Sequence, residues 1–421
     1  MLVVYLKEII MIILNLGLSM ILILFLVSKK INIGYSLIIG ATVLSLLTGK
    51  NISYILNVFL KTIYEPTTIS LAITISFITI LGYLMDKYHI LNRMVLSLEK
   101  MLRSVKLTIL ISPALIGTLL VTGGALMSCP VVNTLGDRLE ISKDKKASIN
   151  LIFRHALYFA FPLAPPLILA SELGGFNILD FVKLQLPITI AMYIFGYMFF
   201  LKKLKVNKEV SKHNYLNSVL NFLLYSSPIL ISLIGAIVLN LPFYISLIFG
   251  IVISIIINKK DIKKDEKYRL NEHLLKTIYK GFKPSMVIAI IGIMFYKNIV
   301  NDIDEIYMYL NILLEKGMPL ELLILISSAL ISFPLASTQP GIAILYPMIL
   351  PLAPDYETKL LYGMFIYTCS FIFYYISPLH MCQVLTLEYF NVKLKDLYKN
   401  YMLILPLTFI VMLVIYFINI I

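Results

Sequence analysis

Leu107 to Gly117 reads LTILISPALIG, and 215 positions later Leu322 to Ser332 reads LLILISSALIS. A second match follows at an offset of 216: Tyr158, Pro162, Leu163, Leu169 and Glu172 recur as Tyr374, Pro378, Leu379, Leu385 and Glu388. Phe176-Asn177 recurs, with a small gap, as Phe390-Asn391. The chain therefore carries one unit twice. Parsed below, that unit crosses a membrane an odd number of times, so its two copies sit upside down relative to each other. Inverted pseudo-symmetry is the sequence signature of a secondary transporter.

Composition supports a membrane reading. The 421 residues are 59% hydrophobic and 14% charged, with mean hydropathy +0.90. Apolar runs of about 17 to 24 residues recur from end to end, long enough for the ~30 Å hydrocarbon layer. The longest polar stretch, Lys259 to Lys283, leaves no room for a soluble domain. Alternating ten-residue segments of a β-barrel are lacking. The net charge of +13 sits in loops between spans, so it is read as topology and not as a nucleic-acid surface. Cys129, Cys369 and Cys382 are unpatterned and support neither a disulfide framework nor a metal site. With Trp absent, the 27 Tyr supply the aromatic belts. The first apolar run, Ile9–Val27, has no small-residue cleavage site and is read as a span.

In the first unit the spans are placed at Ile9–Val27, Ile31–Leu47 and Thr67–Met85. An amphipathic stretch follows, with Ile90, Leu91, Met94, Val95, Leu98 and Met101 on one face, which suits the membrane surface. Leu107–Val132 is interrupted by Thr122-Gly123-Gly124 and reads as a re-entrant hairpin. Ala147–Ala170 is broken by Pro162, Pro165 and Pro166, and Leu184–Leu201 ends the unit. The second unit repeats the order as Val219–Leu239, Phe243–Ile257, Met286–Val300, an amphipathic piece Ile303–Leu314, an interrupted run Leu322–Leu352, a broken span Leu360–Leu385, and Met402–Ile420. The expected fold is all-α: about ten transmembrane helices plus two re-entrant hairpins, with a first repeat 1–201, a basic cytoplasmic linker 202–217 and a second repeat 218–421.

With five crossings per unit, one side carries 28 Lys and Arg and the other 7, with Arg154 inside a span. The richer side is cytoplasmic by the positive-inside rule, which puts both termini outside the cell membrane.

Four interruptions carry the chemistry. Thr122-Gly123-Gly124 and Ser337-Thr338-Gln339-Pro340-Gly341 form the hairpin tips; Pro162–Pro166 and Ser377-Pro378-Leu379-His380 break the spans. Non-helical backbone at membrane depth survives only where protein or a water-filled cavity satisfies its polar groups. Half-helix N-termini suit an anion, and hydroxyls with unwound carbonyls suit Na⁺. The site is therefore assigned to Thr122, Gly123, Gly124, Pro162, Pro165, Ser337, Thr338, Gln339, Gly341, Ser377, Pro378 and His380, with Na⁺ near Thr122, Ser337 and Thr338. A single Pro in a membrane helix is ordinarily just a kink, and Gly ordinarily marks close packing; interruptions in matched pairs argue for more. Arg154 is balanced between anchoring and a substrate role, His155 is read as structural, and Glu172 and Glu388 as capping or loop residues. No Asp or Glu falls at mid-span, which favours Na⁺ over H⁺ as the coupling ion, with His380 the reservation. No Walker A sequence is present.

This order of spans, surface helix, hairpin, broken span and last span, repeated inverted, resembles the ion transporter (IT) superfamily. TGGALMSCPVVNTLGDRL and STQPGIAILYP further resemble an uncharacterised prokaryotic family of integral membrane proteins of unknown function. The resemblance implies an elevator-type carrier, often a homodimer, whose hairpins and broken spans move against a scaffold of the first three spans of each unit. In the anion:sodium symporters of that superfamily the tips carry Ser-Asn-Thr; Ser337-Thr338-Gln339 is close to it but lacks the Asn, and Thr122-Gly123-Gly124 departs further. That points away from dicarboxylates and toward a smaller or monovalent anion.

The leading expectation is a non-enzymatic, cofactor-free, Na⁺-coupled secondary transporter of a small organic anion, a carboxylate or sugar acid, in the lipid bilayer. A Na⁺/H⁺ antiporter of the same fold is the alternative. An intramembrane hydrolase is the alternative from another class, disfavoured because neither H-E-x-x-H nor a mid-span Asp pair is present. Cysteine labelling tests the topology: substitutions at Lys145 and Lys260 should be protected in intact cells, and those at Lys50 and Lys359 should be labelled. Labelling of position 260 from outside would invert the assignment.

Overall fold

The computed structural model describes residues 2–118, 124–204, 215–262 and 273–420. Among them the chain is helical, with no β-strand. The helices are α1 (Leu2–Ser28), α2 (Ile33–Leu47), α3 (Ile52–Tyr64), α4 (Pro66–Lys87), α5 (Ile90–Leu102), α6 (Val105–Gly117), α7 (Gly124–Asp137), α8 (Lys143–Ala156), α9 (Pro165–Gly174) and α10 (Ile178–Gly196). They continue as α11 (Tyr215–Ile237), α12 (Phe243–Ile262), α13 (Leu274–Gly281), α14 (Pro284–Asn301), α15 (Asp304–Glu315), α16 (Leu320–Leu335), α17 (Thr338–Ile349), α18 (Tyr356–Ile376), α19 (Met381–Phe390) and α20 (Leu394–Ile420). Six segments are long and apolar enough to cross a membrane, among them α4, α11, α20 and the run Tyr356–Phe390; α2, α6 and α16 are shorter apolar helices.

Side-chain caps start several helices where the sequence supplies them. Asn32 accepts from the Gly34 N–H at 2.8 Å to open α2, and Asn177 accepts from the Leu179 N–H at 2.9 Å to open α10. Asp355 caps α18 by accepting from the Thr358 N–H, which holds its exposed carboxyl below the usual range. Stops recur as well: α9 ends on Gly175 and α19 on Asn391, both left-handed and 216 positions apart. In each, the cap N–H donates to the carbonyl of the preceding glutamate, Glu172 or Glu388.

Packing follows the same register. Helices α6 and α16 begin 215 residues apart, and α9 and α19, like α10 and α20, begin 216 apart. Contacts come in exchanged pairs: α2 with α14 and α12 with α4, α9 with α17 and α19 with α7, α8 with α20 and α18 with α10.

Three expectations are corrected. Two amphipathic helices, α3 and α13, stand where loops were read; α3 packs on α14 and α13 on α4, each just before a span. The amphipathic helix α5 does not spend its apolar face on the membrane surface. Ile90, Leu91, Met94, Val95 and Leu98 are buried, α11 is its principal neighbour, and Arg93 and Arg103 lie over the rings of Tyr225 and Tyr215 at 4.8 and 5.4 Å. Finally, α11 starts at Tyr215, three residues inside the stretch read as linker.

Helices α2 and α14 cross at backbone contact. A Cβ on Gly34 would lie 2.2 Å from the Ile288 carbonyl oxygen, and one on Gly292 would lie 2.3 Å from that of Gly34. Within lipid, helix association depends on such close packing because burial of apolar surface gives little drive. Gly292→Ala should therefore lower the melting temperature of the detergent-purified protein, at a cost of about 1–3 kcal/mol. Gly17→Ala, where a Cβ meets nothing within 4 Å, is the control and should be neutral or mildly stabilising. Equal shifts for the two would remove the backbone-contact account.

Candidate functional site

The two broken spans are broken by their prolines. Ala164 precedes Pro165 and Ser377 precedes Pro378; both are extended, as a residue before proline must be. Pro165 and Pro166 open α9, where a missing N–H costs least. The carbonyls that the breaks release are satisfied from other helices. Thr189 of α10 donates to Ala156 O at 3.1 Å, and Tyr367 of α18 to Tyr158 O at 2.7 Å. Tyr398 of α20 donates to Ile376 O at 2.6 Å, and Gln383 to Ser377 O at 3.1 Å.

Each interrupted run gives two helices that contact each other. Helices α6 and α7 pack together, as do α16 and α17. At 13 and 14 residues, α6 and α7 each reach only about 20 Å at 1.5 Å per residue. In the second tip Ala336 adopts a left-handed conformation, Ser337 is extended, and Thr338 starts α17. Ser337 Oγ donates to Gln339 Oε1 at 3.1 Å, and Thr338 is buried. Gly341 leaves no room for a side chain: a Cβ there would lie 2.3 Å from Ser370 Oγ and 2.5 Å from Ser332 Oγ.

Gln339 and Pro340 line a cavity of about 190 Å³ together with Pro165 and Leu169 of α9. The rest of its lining is the start of α2, with Asn32 and Ile33, the first half of α14, from Ser285 and Met286 to Ile293, and Ile75 of α4. Asn32 Nδ2 donates to Ser285 O at 3.2 Å, tying those two starts together. A larger groove of about 500 Å³ lies between α16, α18 and α20, but its lining is almost wholly apolar and offers no convergent polar groups.

The structure thus brings Pro165 and Gln339 together at the cavity and adds Asn32, which sequence reading did not single out; Ser337, Thr338 and Gly341 adjoin Gln339 in the tip but are not part of the cavity lining. Thr122 and Gly123, with the Na⁺ position assigned to Thr122, lie outside the described residues; Gly124 starts α7. The last described residues of α6 reach the first break: Gly117 abuts Arg154, and Thr118 faces Tyr158, Phe161 and Pro165 across a narrow gap. Pro162 is half-buried and Pro378 exposed, so neither lines the cavity.

His380 belongs to a second constellation. Its Nε2 lies 2.7 Å from Tyr374 Oη, and His155 Nε2 lies 3.4 Å from the same oxygen. The imidazoles stand edge to face with centroids 4.9 Å apart, and Cys382 approaches both. His155, read as structural, is buried among aromatic rings and shares Tyr374 Oη with His380, and Cys382, unpatterned in sequence, lies beside both. Tyr158 and Tyr374 are matched positions, and each lies next to its own break. A further link between units, Asn150 Nδ2 donating to Thr386 Oγ1 at 3.0 Å, had no sequence signal.

The equivalent faces of the two breaks are covered unequally. Leu163 and Ile168 are 3% and 2% exposed and Pro165 is buried, whereas their matches Leu379, Val384 and Met381 are 63%, 43% and 65% exposed.

With this geometry in hand, comparison with known families gives one answer. Residues 11–419 match a family described as "Protein of unknown function (DUF401)". The chain belongs to the DUF401 family. No functionally curated protein matches it. For this DUF401 chain the cavity contact gives a direct check: cysteines at Asn32 and Gln339, in a background freed of native cysteines, should be joined by a short bifunctional reagent. A pair at Gly17 and Gln339 should not. Failure of the first pair in folded protein would displace the tip from the α2 start.

Proposed function

We propose that this protein is a secondary active transporter of a small organic anion, a carboxylate or sugar acid, in the cell membrane. It is read as a member of the ion transporter superfamily, with α6 to α10 and α16 to α20 moving as a unit against α1 to α4 and α11 to α14, in a homodimer with both termini outside. The carrying observation is the cavity between the second hairpin tip, the start of α9 and the starts of α2 and α14. A site shared by two bodies can be opened to one side or the other by sliding one body.

Two features support the reading. The cavity runs from the starts of α2 and α14, which follow the lysine-bearing segments Lys29–Lys30 and Lys259–Lys283, to Ile75 of α4 and Ile293 midway along α14, so one end of it lies toward the basic side. With the open face of α19, that fits a carrier displaced toward its basic, cytoplasmic side. Helix starts at Pro165 and Thr338 direct their dipoles at the site, which suits an anion. Ser337, Thr338 and the tip carbonyls supply hard oxygen donors for Na⁺, with Thr338 standing where the Ser-Asn-Thr motif has its Asn.

A second reading, proton coupling or Na⁺/H⁺ exchange, is favoured by the His155–Tyr374–His380 chain. Uptake by proteoliposomes under a Na⁺ gradient, screened over carboxylates and sugar acids, tests the proposal. Ser337→Ala and Thr338→Ala should each cut uptake about tenfold, the worth of roughly 1.4 kcal/mol, and weaken its Na⁺ dependence. Wild-type and His380→Gln uptake should both require Na⁺ and change little between about pH 5.5 and 8. A steep wild-type profile that His380→Gln flattens would transfer coupling to the proton, and wild-type uptake in both tip variants would remove the tip from the mechanism.

A further inference from the structure

We propose that His155, His380 and Cys382 bind one soft d¹⁰ metal cation, Cu⁺ in preference to Zn²⁺. Their ligand atoms lie within 4.8 Å of one another, although 225 residues separate the histidines in sequence. The imidazoles are already oriented for the task. His155 Nδ1 lies 2.7 Å from Leu151 O, and His380 Nδ1 lies 3.4 Å from Tyr375 O. A carbonyl only accepts, so each Nδ1 carries the hydrogen and each Nε2 keeps a lone pair; a backbone carbonyl behind a histidine is how metal-bound imidazoles are commonly held.

Counting hydrogens then identifies the guest. Both Nε2 lone pairs face Tyr374 Oη, at 3.4 and 2.7 Å, and that hydroxyl has one proton to give. One buried acceptor is left over, and a cation between the rings satisfies both. Cys382 supplies the third donor: its S–H bond breaks, the proton leaves to solvent, and the sulfur bonds the metal as thiolate. Bonds of about 2.0–2.3 Å require ligand atoms about 3.5–4 Å apart, a contraction of up to about 1.3 Å from the present spacing. Access exists, because Cys382 is half-buried and sits beside the exposed Leu379 and Met381.

Charge chooses the ion. Arg154 directly precedes His155 and is 3% exposed. Beside that fixed positive charge, Cu⁺ with one thiolate makes a neutral site, whereas Zn²⁺ with one thiolate leaves a net positive charge. Thiolate with imidazole is also a donor set that suits Cu(I).

The test uses the full-length protein in detergent, with Cu⁺ delivered from a competing chelator, and Zn²⁺ in parallel. Wild type should retain one Cu⁺ per chain after gel filtration, and so should a Cys129→Ser/Cys369→Ser double variant. Cys382→Ser and His380→Gln should each weaken binding by at least about tenfold. X-ray absorption of the wild-type complex should show one sulfur and two nitrogen neighbours, a signature that decides the matter even where a variant fails to fold. The proposal is overturned by no stoichiometric binding, by unchanged affinity in Cys382→Ser, by a spectrum lacking nitrogen, or by Zn²⁺ being taken up in preference to Cu⁺. These outcomes read metal binding alone and leave the anion cavity at Gln339 untouched, so that proposal stands or falls separately; a bound cation would occupy the imidazole nitrogens on which the proton-coupling reading depends.

Discussion

A helix interrupted inside hydrocarbon exposes backbone groups that water cannot reach, and each group left unsatisfied costs several kcal/mol. The rest of this structure depends on how that cost is avoided. Four freed carbonyls, those of Ala156, Tyr158, Ile376 and Ser377, are met by Thr189, Tyr367, Tyr398 and Gln383. Three of these donors, Thr189 on α10, Tyr367 on α18 and Tyr398 on α20, come from outside the broken span whose carbonyl they meet. The breaks are therefore stitched to their surroundings, and α8 to α10 and α18 to α20 are bound to one another by bonds that none of them can give up singly.

A different force holds the other part of the molecule. Gly34 and Gly292 bring α2 and α14 to backbone contact, and Ser19 Oγ donates to Gly40 O where α1 meets α2. These are small-residue contacts with few polar side chains, so they are stiff and particular to one geometry. Between the two groups of helices lies the cavity at Gln339, beside the packing of α14 on α17. On the proposed reading, that boundary is where the transport cycle would slide one group past the other.

Much of the fold was legible from the repeat. The offsets of 215 and 216 foretell the matched starts of α6 and α16 and of α9 and α19, because caps and prolines are local and recur with the sequence. Helices α3 and α13 escaped because each lies against a longer apolar run and is short and amphipathic, so hydropathy alone reads it as loop. The burial of α5 on α11 escaped because an amphipathic face looks the same whether lipid or protein covers it. At the site, the tip and break residues were legible as interruptions. Asn32 was not, since a helix cap acquires meaning only when the cavity beside it is known. Nor was the meeting of His155 with Cys382, which needs the two breaks to be superposed in space.

The unequal covering of the two breaks is the last consequence of the repeat. Leu163, Pro165 and Ile168 match Leu379, Met381 and Val384 in position and in apolar character, yet one set is covered and the other open. Local sequence does not account for that difference, because both sets would be buried equally well. On the proposed reading, the position of one unit against the other decides it. On that reading, a second arrangement with the covering exchanged has comparable local packing, and the two differ by the few kcal/mol typical of bistable interfaces. A ligand moves such a balance only by binding one arrangement better than the other. The cavity at Gln339 exists because α9 is the covered partner, so its lining is offered in full by one arrangement alone, and the energy of filling it becomes available to hold or release that arrangement.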